Sequence, residues 1–119
     1  MSEAKLEMDS KTYRVNYLEL ENAVVAFFFE NRVRLGTVAI AMPGIAETSV
    51  GRSSALVGAK YIMTSRALAE RLAGSSGKIA MVSLFTELDE MQALRVYARL
   101  LEKISLTRSD RRTGPDTSI

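Results

Sequence analysis

The segment Ala23-Val24-Val25-Ala26-Phe27-Phe28-Phe29 is apolar at every position. It is too short to span a bilayer, which needs roughly 20 residues. Its β-branched and aromatic content favours a strand over a helix. Successive strand residues point to opposite faces, so both faces of this strand need a cover. Helices can cover one face of an antiparallel sheet, and the other must meet solvent or a second chain. The segment therefore predicts a sheet with helices on one side and a dimer face on the other. The candidate residues for that face are Val25, Phe27, Phe28 and Phe29.

A chain of 119 residues supports one such domain with a single core. It contains neither cysteine nor histidine. Disulfide frameworks, thiolate metal sites, cysteine nucleophiles and histidine-based triads are thereby excluded. The formal net charge is +2 and the charges of both signs are dispersed. Nucleic-acid binding would need convergent Lys or Arg with stacking aromatics, so no nucleic-acid partner is expected. No membrane partner is expected either. Met1 to Lys11 carries charges of both signs without an apolar stretch. Residues 1–12 are expected to form a flexible leader rather than a signal peptide, and the expected compartment is the cytoplasm.

A single domain is expected over residues 13–104. Tyr13, Val15 and Tyr17 alternate with Arg14 and Asn16 as a half-exposed strand. After the apolar segment, Glu30-Asn31-Arg32 is expected to close a hairpin into a strand from Val33 to Met42. That strand changes phase at Gly36-Thr37. Either a β-bulge restores one inward face, or Ala39 and Ala41 fill a strand buried on both faces. Ser53 to Val57 and Ile79 to Leu84 read as two further strands. Between them, Tyr61, Ser65, Leu68 and Leu72 follow helical spacing, and Gly74-Ser75-Ser76-Gly77 is expected to end that helix. Asp89 is expected to cap a second helix whose buried stripe is Met91, Leu94, Ala98, Leu101 and Ile104, widened by Tyr97. Residues 105–119 lack an apolar period and are expected to be disordered. The order β-β-β-β-α-β-α predicts an α+β domain: an antiparallel sheet of five to six strands with two helices on one face.

Little in the sequence offers catalysis. Gly74-Ser75-Ser76-Gly77-Lys78 lies between a helix and a strand, the wrong place for a phosphate loop. Glu87, Asp89 and Glu90 sit where a helix N-terminus favours negative charge. None of the serines lies in a nucleophile elbow. No catalytic residue, metal site or cofactor is expected, and the chain reads as a non-enzyme.

The run Leu68-Ala69-Glu70-Arg71-Leu72-Ala73, followed by Lys78, Val82 and Ser83, resembles the small proteasome-assembly chaperones of the third and fourth type. Leu35 to Met42 resembles their third strand, Leu56-Val57-Gly58 the segment leading into their first helix, and Leu94-Arg95 through Ile104 their final helix. The resemblance covers residues 13 to 104. It implies a six-stranded sheet with helices on one face, dimerisation with itself or a sister chaperone, and a proteasome α-subunit as partner. The chain ends Asp116-Thr117-Ser118-Ile119, so it lacks the hydrophobic-tyrosine-any tail of the larger assembly chaperones. A partner contact is then expected from the folded surface. The candidate is the loop bearing Ile45, Glu47, Val50 and Arg52, because loops on a rigid sheet carry recognition. The alternatives are a small-molecule-binding domain and a dimeric scaffold for another complex on the same fold.

Overall fold

A computed structural model describes residues 2–43, 52–57 and 60–113. Its elements are β1 (Ser2–Met8), β2 (Lys11–Glu19), β3 (Ala23–Glu30), β4 (Thr37–Met42), β5 (Arg52–Val57), α1 (Ile62–Ser76), β6 (Ile79–Leu84) and α2 (Glu90–Thr113). From β2 onward the order is β-β-β-β-α-β-α, and the α+β class with two helices is as expected.

Four details differ from the sequence reading. First, the expected leader is strand β1, paired antiparallel with β2 from Ser2↔Tyr17 to Met8↔Lys11. Asp9 and Ser10, at φ 50 and 65, form the two-residue loop between them. Positive φ at both loop positions matches the right-handed twist of a tight hairpin. Second, β3 and β4 are not a hairpin. The sheet order is β1-β2-β3-β6-β4-β5, so β6 lies between them. It runs parallel to β3 and antiparallel to β4, which makes the sheet mixed. Third, Val33 to Leu35 precede the strand instead of belonging to it, and Leu35 is 69% exposed. Fourth, α2 continues through residues 105–113, part of the expected disordered tail. Gly114 and Pro115 are the first helix breakers in that stretch of sequence.

One parity of every central strand faces the helices. Tyr13, Val15 and Tyr17 of β2, Val24, Ala26 and Phe28 of β3, Ala80, Val82 and Leu84 of β6, and Ala39 and Ala41 of β4 are all buried. Leu68, Ala69, Leu72 and Ala73 of α1 cover one half of this layer. Ala93, Val96, Tyr97, Leu100, Leu101 and Ile104 of α2 cover the other. Of the expected stripe, Tyr97, Leu101 and Ile104 are buried and Ala98 is half-buried, whereas Met91 and Leu94 are exposed and Ala93, Val96 and Leu100 take their place. Tyr97 is the largest fully buried side chain and anchors this side of the helix on the sheet. Its ring meets Phe28 edge-on at 5.6 Å and Tyr13 at 6.0 Å. Edge-to-face pairs of this kind add about 0.5–1.5 kcal/mol beyond the area they bury.

Neither reading of the phase change holds whole: Ala39 and Ala41 are buried as the second expects, but the other side of β4 is open at Met42, and the irregularity of the first falls between Val38 and Ala39 rather than at Gly36-Thr37. Ala39 and Ala41 face the helices, Val38, Ile40 and Met42 the opposite side, and a register shift between Val38 and Ala39 occurs in the pairing with β5. Gly36 makes the entry into β4 feasible. Its N–H donates to Ser83 Oγ at 2.9 Å, and a Cβ there would lie 2.0 Å from the Leu84 carbonyl oxygen. The helix ends are satisfied locally. Gly77, in the left-handed region at φ 70, ends α1 by donating to the Ala73 carbonyl. Asp89 Oδ1 accepts from Gln92 N–H at 2.8 Å, the expected cap of α2. Glu90 in the first turn of α2 accepts from the Thr64 N–H, so it serves the start of α1 as well. Among the described residues, no helix is long and apolar enough to cross a membrane.

Candidate functional site

The second parity of the strands forms a sheet face opposite the helices, and it is apolar through its middle. By register Leu18, Val25, Met81 and Ile40 form one row across β2, β3, β6 and β4. Asn16, Phe27, Ser83 and Val38 form the next row, in which Ser83 and Val38 are buried and Asn16 and Phe27 half-buried. Ile79 and Met42 extend the patch at one end. Met42 is 55% exposed and Met81 36% exposed, while Val25, Phe27 and Ile40 are half-buried. Toward β1 the face becomes charged, with Glu3, Lys5 and Glu7 at the open-face positions. The arrangement is an apolar centre with a charged margin.

The four candidate dimer-face residues divide between the two sides. Val25 and Phe27 lie on the open face. Phe28 does not: it is fully buried under α2, because strand alternation places it with Val24 and Ala26. Phe29 has the open-face parity but is buried, opposite Arg14 in the register. Of the candidate loop, Ile45, Glu47 and Val50 lie outside the described residues. Arg52 is the first residue of β5, paired in register with Met42 on a sheet edge.

Several contributors to the face were missed in the sequence. Leu18, Ile79, Met81, Ile40 and Met42 come from four separate strands, and each looks like an ordinary strand residue by itself. The available signal was the second parity of Val38, Ile40 and Met42 once Ala39 and Ala41 are assigned to the helices. Two polar atoms on this face, Arg14 Nε and Asn16 Oδ1, are buried with no hydrogen-bond partner among the described residues. Unsatisfied buried polar atoms are costly, typically about 1–3 kcal/mol each.

A second polar cluster lies at the helix-side end of β3. The buried Glu30 carboxylate accepts from Thr86 Oγ1 and, at 2.7 Å, from the Glu87 N–H. Lys11 Nζ stands 4.0 Å from its other oxygen. Tyr61, in the left-handed region at φ 62, donates its hydroxyl to the Leu88 carbonyl. Burial holds the phenol of Tyr97 well above its ordinary range, the contact with Thr86 opposes this, and the Glu30 charge adds to it. Tyr13 and Tyr61 are raised for the same first reason, burial, with Glu30 next. These contacts tie the connection between β6 and α2 to the end of β3, so the cluster acts as a structural latch. Among the described residues, no group of three or more acidic side chains is placed to hold a metal ion.

No family model matches the chain, and no curated protein matches it in sequence.

Proposed function

We propose that this chain is a non-enzymatic, cytoplasmic protein-binding module that dimerises through the open face of its sheet, in the manner of the small chaperones of proteasome α-ring assembly. The observation that carries the reading is the apolar patch of Leu18, Val25, Phe27, Ile40, Met42, Ile79 and Met81 on the sheet face opposite α1 and α2. The patch crosses four strands at about 4.8 Å spacing, and about six residues at about 3.4 Å along each give a backbone footprint of roughly 19 by 20 Å, to which side-chain relief and the polar margin add. A standard interface buries about 800 Å² per partner, so this face is of the right order for two copies packed sheet to sheet. A sheet of six strands with both helices on one side also agrees with what the resemblance implies.

The α-subunit as client rests on the resemblance. Its test is co-expression of the tagged chain with the proteasome α-subunits of the source organism, followed by size-exclusion chromatography. Co-elution of an α-subunit with the dimer is expected. Failure of every α-subunit to co-elute, with the dimer intact, would leave a dimeric scaffold for another complex as the better reading.

A further inference from the structure

We infer that the outer edge of β1, together with the groove between β1 and α2, is a docking site for an extended peptide bearing alternate apolar side chains and a carboxylate. This site goes beyond the open-face dimer and uses different residues.

The first observation is the backbone. β1 is an outermost strand of the sheet. Its two-residue loop to β2 makes Met8 and Lys11 a hydrogen-bonded pair. Antiparallel pairs alternate, so Leu6, Ala4 and Ser2 also bond to β2. Glu3, Lys5 and Glu7 then direct their N–H and C=O groups away from the sheet. Lys103 Nζ donates to the Lys5 carbonyl at 3.0 Å, in agreement with that assignment. The N–H groups of Glu3, Lys5 and Glu7 form a ladder of donors at the edge, the arrangement to which a peptide strand adds.

The second observation is what lies beside that edge. A groove of about 490 Å³ runs between β1 and α2, with Leu6, Met8, Val96 and Ala98 as its apolar lining. Arg95 and Arg99, four residues apart on α2, are also part of it, against one carboxylate, Glu102. A strand added to β1 places every second side chain on the helix side of the sheet, over this groove. Apolar residues there meet Leu6 and Met8, and an acidic residue between them meets the two guanidinium groups. Backbone bonds supply affinity in this mode, and the groove supplies selectivity. The charge excess favours an acidic peptide over a basic one.

The test uses the full chain and fluorescein-labelled Thr-Leu-Thr-Glu-Thr-Val-Thr, whose Leu, Glu and Val share one side, with fluorescence anisotropy as readout. Saturable binding is expected, weakened at least about tenfold when Lys replaces Glu in the peptide. Arg95→Glu with Arg99→Glu should reverse that preference. Lys5→Pro removes an outward donor without touching the ladder to β2, so it should abolish binding while the melting temperature holds. Phe27→Asp, which targets the open face, should leave peptide binding unchanged whatever it does to the dimer. Absence of saturable binding, equal binding of the lysine peptide, or binding indifferent to Lys5→Pro would each overturn the inference. So would loss of the dimer in Lys5→Pro, which would show a second copy at the edge.

Discussion

The two faces of the sheet are built from the same strands, one residue out of phase, yet they are made for different covers. The helix side carries Tyr13, Val15, Val24, Phe28, Val82 and Leu84, all buried, and its aromatic rings meet edge-on with Tyr97. The open side carries Val25, Phe27, Ile40 and Met81, each only partly covered by neighbours, with the flexible Met42 more exposed at one end of the patch. Neighbouring residues on one strand, Phe27 and Phe28, thus have similar chemistry and different roles. Phe28 is fully buried in the single chain, and Phe27 is half-buried there, with its remaining surface assigned to a second copy by the proposed function. The difference should appear as a separation between stability and assembly.

The largest effect should come from the framework that holds both faces. Gly36→Ala would place a methyl 2.0 Å from the Leu84 carbonyl oxygen, forcing β4 away from β6. Loss of about 3 kcal/mol or more is expected in chemical denaturation. Next, Phe28→Ala should lower unfolding free energy by about 3–5 kcal/mol, the usual range for a buried aromatic. Phe27→Ala should lower monomer stability by less than half as much, measured by urea melts at a concentration where the protein is monomeric. Equal losses at the two positions would break the distinction between the faces.

A pH series sharpens it further, because the buried tyrosines belong to the helix side. Tyr97, Tyr13 and Tyr61 have phenols raised above their ordinary 10.0 in the folded state. Their contribution is fully present below pH 10.0 and is lost as pH rises toward the folded values. Each phenol that stays protonated only when folded removes up to about 1.4 kcal/mol per pH unit. Alkaline urea melts should show this fall, and Tyr97→Phe should flatten it. The smallest effect is expected from Met42→Ser, on the open face, which should leave monomer stability within about 0.5 kcal/mol and weaken only the dimer.

The sequence showed this asymmetry in part. Strand β3 was visible because all its residues are apolar, and its need for two covers followed from alternation alone. The same feature suits a strand with a parallel neighbour, since such strands are buried on both faces and read as continuous apolar runs. Pairing with β6 is not encoded locally, however, and Glu30-Asn31-Arg32 resembles a hairpin turn whichever strand comes to lie beside β3. β1 was legible and missed: Ala4, Leu6 and Met8 alternate with Glu3, Lys5 and Glu7, and Asp9-Ser10 then supplies a turn. Its charges hid a period of two. In α2, Met91-Leu94-Ala98 and Ala93-Val96-Leu100 are both apolar series at helical spacing, and only packing of Tyr97 on Phe28 and Tyr13 distinguishes them. The open face was the least legible feature, because its members come from strands far apart in sequence.

Sedimentation equilibrium of the wild-type chain and of Phe27→Asp, each at micromolar concentration, tests the central claim most directly. The wild type should sediment at about twice the 13.1 kDa of one chain. The variant should sediment at 13.1 kDa with the same far-ultraviolet spectrum. A wild-type mass of 13.1 kDa, or an undiminished dimer in a folded Phe27→Asp variant, would contradict the account.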